Sequence, residues 1–69
     1  MIEVVITDKL YPHLKAKVIP RDSKYVVEVV ERMNNKYGKV KITKYKSNGS
    51  YTDIEPAIIK ALDMFEESM

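Results

Sequence analysis

Residues 39–51, KVKITKYKSNGSY, constrain the fold of this 69-residue chain more than any other stretch. Val40 and Ile42 alternate with Lys39, Lys41 and Thr43, which is the period-two pattern of a strand with one apolar and one basic face. Asn48-Gly49 closes the stretch, and both residue types tolerate positive φ, so a tight turn is expected there. A lysine-bearing strand of this kind needs cover on its apolar face and leaves the other face wet.

The segments around it supply that cover. Ile2 to Thr7 is β-branched and apolar, as in a strand, with Ile2, Val4 and Ile6 expected to face a core and Val5 to face outward. After a connector through Pro12, alternation resumes with Leu14, Ala16 and Val18 on one side and Lys15, Lys17 and Ile19 on the other, up to Pro20. The two segments pair most simply as an antiparallel hairpin with a loop of about six residues.

Asp22 or Ser23 then suits a helix N-cap. Val26, Val29, Val30, Met33 and Tyr37 follow at helical spacing, and Gly38 suits a left-handed C-terminal cap. A helix over this stretch is predicted, leaving Val27 off its stripe. Its valines also fit a strand, since β-branching lowers helix propensity.

A second helix is predicted after Asp53, which suits an N-cap, with Glu55 and Pro56 in the first turn. Its expected apolar stripe is Ile54, Ile58, Ala61, Leu62, Phe65 and Met69, with Ile59 and Met64 outside it. Tyr51 to Ile54 reads either as a short returning strand or as a loop.

The expectation is therefore one α+β domain spanning residues 1–69. It is a two-layer sandwich in the order β-β-α-β-(β)-α, with a three- or four-stranded sheet and two helices on one face. A strand–helix–strand–helix order with residues 8–20 as a long loop is the alternative.

Composition narrows the chemistry. The absence of cysteine excludes disulfides, zinc–thiolate sites and thiol catalysis. His13 is the lone histidine, with no carboxylate–nucleophile pair near it in sequence, and Asp53 and Glu55 are explained by helix capping rather than by metal. The two glycines, eleven residues apart, make no phosphate loop. No catalysis, cofactor or metal is expected. The apolar run at the N-terminus is short and contains Glu3, so neither a signal peptide nor a membrane span is read there, and the protein is expected to be cytoplasmic.

Charge is split along the chain. Residues 1–48 hold eleven Lys/Arg against five Asp/Glu, and residues 49–69 hold one against five. An anionic partner would be steered to the first part. Two binding surfaces follow from these patterns. The first is a protein interface, with self or another chain, built on Val5, Ile19, Val27, Ile59 and Met64, apolar positions left outside the expected core. The second is a nucleic-acid face on Lys15, Lys17, Lys39, Lys41 and Tyr45, where lysines neutralise phosphates and a tyrosine ring could stack on an unpaired base. Protein contact, perhaps by self-association, is the first functional expectation, and weak single-strand binding the second. No motif here is specific to a known family.

Overall fold

The computed structural model describes residues 2–34, 37–38 and 40–69, and for residues 34 and 40–45 the backbone alone. The chain runs β1 (Val4–Ile6), β2 (Leu14–Arg21), β3 (Lys24–Asn34), β4 (Val40–Tyr51) and α1 (Ile54–Glu67). The strands form one antiparallel meander in the order β1-β2-β3-β4, and α1 packs across one side of it, chiefly over β2 and β3. The architecture is α+β with one helix, not two.

The first hairpin forms as its alternation requires, with Val4 opposite Val18 and Ile6 opposite Ala16. Its loop is fixed by two successive turns. The Tyr11 amide donates to the Asp8 carbonyl (3.1 Å), and the Leu14 amide donates to the Tyr11 carbonyl (3.0 Å). The Asp8 carboxylate also accepts from the Leu10 amide at 2.8 Å.

Pro20 does not end β2. Arg21 and Lys24 flank a two-residue turn and so exchange both ladder bonds, whereas the next pair, Pro20 and Tyr25, exchanges none. The proline nitrogen therefore faces away from β3, on the side where β1 has already stopped opposite Val18.

The expected first helix is instead β3, the longest departure from the sequence reading. Asp22 and Ser23 are not a cap. Their φ values of 51° and 64° make them the two central residues of a type I′ turn, whose twist matches that of the strands it joins. Apolar residues at 26, 27, 29 and 30 satisfy helical spacing, but they also satisfy a central strand that is apolar on both faces. β-branching at all four decides for the strand. The alternative with residues 8–20 as a loop is excluded by β2.

The Asn48-Gly49 turn is likewise replaced. Both residues lie inside β4, where Tyr51 pairs with Tyr25 and Asn48 with Val27, so β4 carries one residue more than β3 between these pairs. Gly49, at φ 40°, sits in this bulge. The extra residue keeps Asn48 and Tyr51 on the same face, and the Tyr51 hydroxyl donates to the Asn48 side-chain oxygen at 2.5 Å. Tyr51 is thus the end of β4 and not a separate returning strand.

The helix starts where expected, with Asp53 extended at the N-cap position, though its carboxylate makes no capping hydrogen bond. Its buried residues are Ala57, Ala61, Met64 and Phe65, which meet Leu14, Ala16, Val18, Val27 and Val29 from the sheet. Relative to the expected stripe, the buried face is rotated: Leu62 and Met69 are exposed and Met64 is in the core. Alanines at 57, 61 and 16 let the helix approach the sheet closely, and the larger Met64 and Phe65 fill the space at its C-terminal half.

Candidate nucleic-acid interface

The helix covers one face of the sheet, so the register decides what the other face presents. Directly paired residues share a face. Lys15 pairs with Val30, Lys17 with Glu28, Ile19 with Val26 and Arg21 with Lys24, and Val5 of β1 pairs with Lys17. This open face therefore carries Val5, Lys15, Lys17, Ile19, Arg21, Lys24, Val26, Glu28, Val30 and Arg32. It holds five cationic residues and one carboxylate among those positions.

Lys15, Arg21, Lys24 and Arg32 are exposed, while Lys17, Ile19, Val26 and Glu28 are half-buried. Val30 is only 5% exposed although it lies outside the core beneath the helix. The centre of a sheet is where flanking side chains shade a small residue most, and lysine stems do so while their ammonium groups stay in water. The face is thus a thin apolar floor edged by charge.

Its cations fall in two groups. Arg32, Lys15 and Lys17 occupy one end, and Arg21 and Lys24 stand beside the β2–β3 turn at the other. From Lys24 to Arg32 along β3 is eight residues, or about 26 Å at strand rise. The exposed surface of α1 is opposite in sign, with Glu55, Asp63, Glu66 and Glu67 turned to water. The uneven charge along the chain becomes a separation across the sheet.

Of the expected nucleic-acid residues, Lys15 and Lys17 lie together on the open face. Tyr45 occupies the same cross-strand row as Lys15, with Val30 between them. Lys41 instead pairs with Met33, in a different row, and Lys39 lies outside the described residues. A second irregularity, between the pairs Glu31–Lys44 and Arg32–Ile42, shifts the alternation of β4 and explains why its residues do not follow one uninterrupted pattern. Arg21, Lys24 and Arg32 were missed because their stretch was read as a cap and a helix. The two-sided run of valines between them was the available signal.

The expected protein-interface residues do not converge. Val27 and Met64 are buried in the core beneath the helix, correcting their assignment to the surface. Val5 and Ile19 lie on the open sheet face, whereas Ile59, 61% exposed, lies on α1. A separate apolar hollow of about 270 Å³ is lined by Leu10, Tyr11, Pro12, His13, Leu14, Glu31 and Met33.

Among the described residues, no group of three or more His, Asp or Glu is placed to hold a metal ion, and no helix is long and apolar enough to cross a membrane. No family model matches the chain, and no curated protein or solved structure matches it.

Proposed function

We infer that this domain is a non-catalytic binding module that holds nucleic acid by its phosphate backbone on the open face of the sheet. The observation that carries this reading is the gathering of Lys15, Lys17, Arg21, Lys24 and Arg32 on one face, with the acidic residues of α1 on the far side of the molecule. Cations so arranged neutralise phosphates and release counterions, and the acidic back orients the approach. Phosphate contacts carry no sequence information, so binding on this face is of low sequence specificity.

Fluorescence anisotropy of labelled oligonucleotides across a salt series tests it. Affinity should fall with salt along a linear log–log plot. The double substitution Lys15→Gln and Lys17→Gln should reduce that slope by about two, one for each lost phosphate contact. No binding at low salt, or a slope unchanged by the substitutions, would exclude the reading.

A protein partner is the second reading. It is favoured by the hollow beside the first loop, where Leu10 is 83% exposed and Tyr11 and Met33 are each exposed by about two-fifths or more. That surface lies apart from the cationic face, so substituting Leu10 separates the two readings.

A further inference from the structure

The two strands β3 and β4 outrun the rest of the sheet. β2 begins at Leu14, opposite Glu31, while β3 continues through Arg32 and Met33 to Asn34, paired with β4 back to Val40. One further bond, from the Arg32 amide to the His13 carbonyl (2.9 Å), is the last tie to the neighbouring segment. Beyond it the sheet is a two-stranded ribbon, and the molecule is correspondingly long, 41 Å by 22 Å by 17 Å.

The same ribbon carries the most one-sided charge in the chain. From Arg32 to Thr52 the sequence contains six Lys/Arg and no Asp/Glu. An edge kept soluble by charge has no need to exclude acids, since either sign blocks strand pairing. Uniform positive charge over 21 residues matches a polyanion.

Duplex and single strand make different demands. Single-strand binders without sequence preference depend on aromatic platforms for successive bases. The described side chains of the open face are aliphatic and charged, and Tyr25 and Tyr51 are half-buried against the core on the opposite side. A two-stranded ribbon, with strands about 4.8 Å apart plus side chains, fits the B-DNA major groove of about 12 Å and not the minor groove of about 6 Å.

We propose that the ribbon of β3 and β4 enters the major groove of duplex DNA, with Arg32 and Lys41 contacting its phosphates, while Lys15 and Lys17 grip the adjoining backbone. This rests on the nucleic-acid reading above and names its substrate as duplex DNA. A-form RNA, whose major groove is deep and narrow, should be a poor ligand for the ribbon.

The test is anisotropy at one fixed salt concentration with three labelled oligomers of one sequence: duplex DNA, single-stranded DNA and duplex RNA. Duplex DNA should bind tighter than both others, by about tenfold, because only it admits the ribbon. The double substitution Arg32→Gln and Lys41→Gln should erase that preference. Lys15→Gln with Lys17→Gln should weaken all three ligands alike. Equal or tighter binding of single-stranded DNA or duplex RNA overturns the ribbon inference and leaves the nucleic-acid reading standing. Failure of all three to bind overturns the reading itself. The comparison on the unsubstituted protein decides the matter even if the ribbon variant does not fold.

Discussion

The two faces of one sheet are built from the same strands by the same alternation, yet they have opposite chemistry. Beneath α1, Leu14, Ala16, Val18, Val27 and Val29 form a dry layer with Ala57, Ala61, Met64 and Phe65. On the other side, the intervening residues of β2 and β3 give Lys15, Lys17, Arg21, Lys24 and Arg32 around a sparse apolar floor. The difference shows a division of labour: one face holds the fold together and the other is free to vary in charge without affecting the core. Substitutions on the two faces should therefore have separable consequences.

The largest effect is expected on the covered face. Phe65→Ala should cost about 3–5 kcal/mol, which is comparable with the whole stability of a domain this size, and thermal melting should show the variant largely unfolded. On the open face, reversing two charges with Lys15→Glu and Lys17→Glu should leave the melting temperature nearly unchanged. The same change should weaken duplex DNA binding by at least about tenfold in a titration at low salt. Loss of stability in the second variant, or loss of DNA affinity in a folded core variant, would break the separation of the faces.

Smaller effects sharpen it. Ser23 holds a positive φ in the turn that joins β2 to β3, next to the cations Arg21 and Lys24. Ser23→Gly should relieve about 1 kcal/mol of backbone strain and raise the melting temperature by about 4–8 °C, with no change in DNA affinity. Ile59→Lys, on the exposed side of α1, should shift stability by less than about 0.5 kcal/mol and leave the protein's sedimentation unchanged. A change of oligomeric state in that variant would instead mark the helix as an interface.

Much of the covered face was legible in the sequence, because alternation in β1 and β2 and the helical spacing after Asp53 each fit one structure. Residues 22–38 were not legible, since every local signal there has two meanings. Val26, Val29, Val30 and Met33 fit a helical stripe, but a central strand with apolar residues on both faces produces the same spacing. Asp22 and Ser23 favour helix caps and also tolerate a type I′ turn, and Gly38, at φ 79°, suits a helix end or a connection between strands. Asn48-Gly49 is a turn signal that here serves a bulge within β4. On α1, the small Ala57 carried little weight in a hydrophobic stripe, so the buried face was placed too near Leu62 and too far from Met64.

The candidate site was legible in part for the same reasons. Lys15 and Lys17 follow from the alternation of β2 alone. Arg21, Lys24 and Arg32 join them only once β3 is a strand, since the register then brings residues far apart in sequence onto one face.

The most direct test of the central claim is an amide-resolved NMR titration of the isotope-labelled protein with a short DNA duplex. The account predicts chemical-shift changes concentrated at Lys15, Lys17, Arg21, Lys24 and Arg32 and along the ribbon of β3 and β4, with the exposed side of α1 around Ile59, Asp63 and Glu66 unaffected. Changes centred on α1 or on the hollow at Leu10 and Tyr11, or no changes at all, would contradict it.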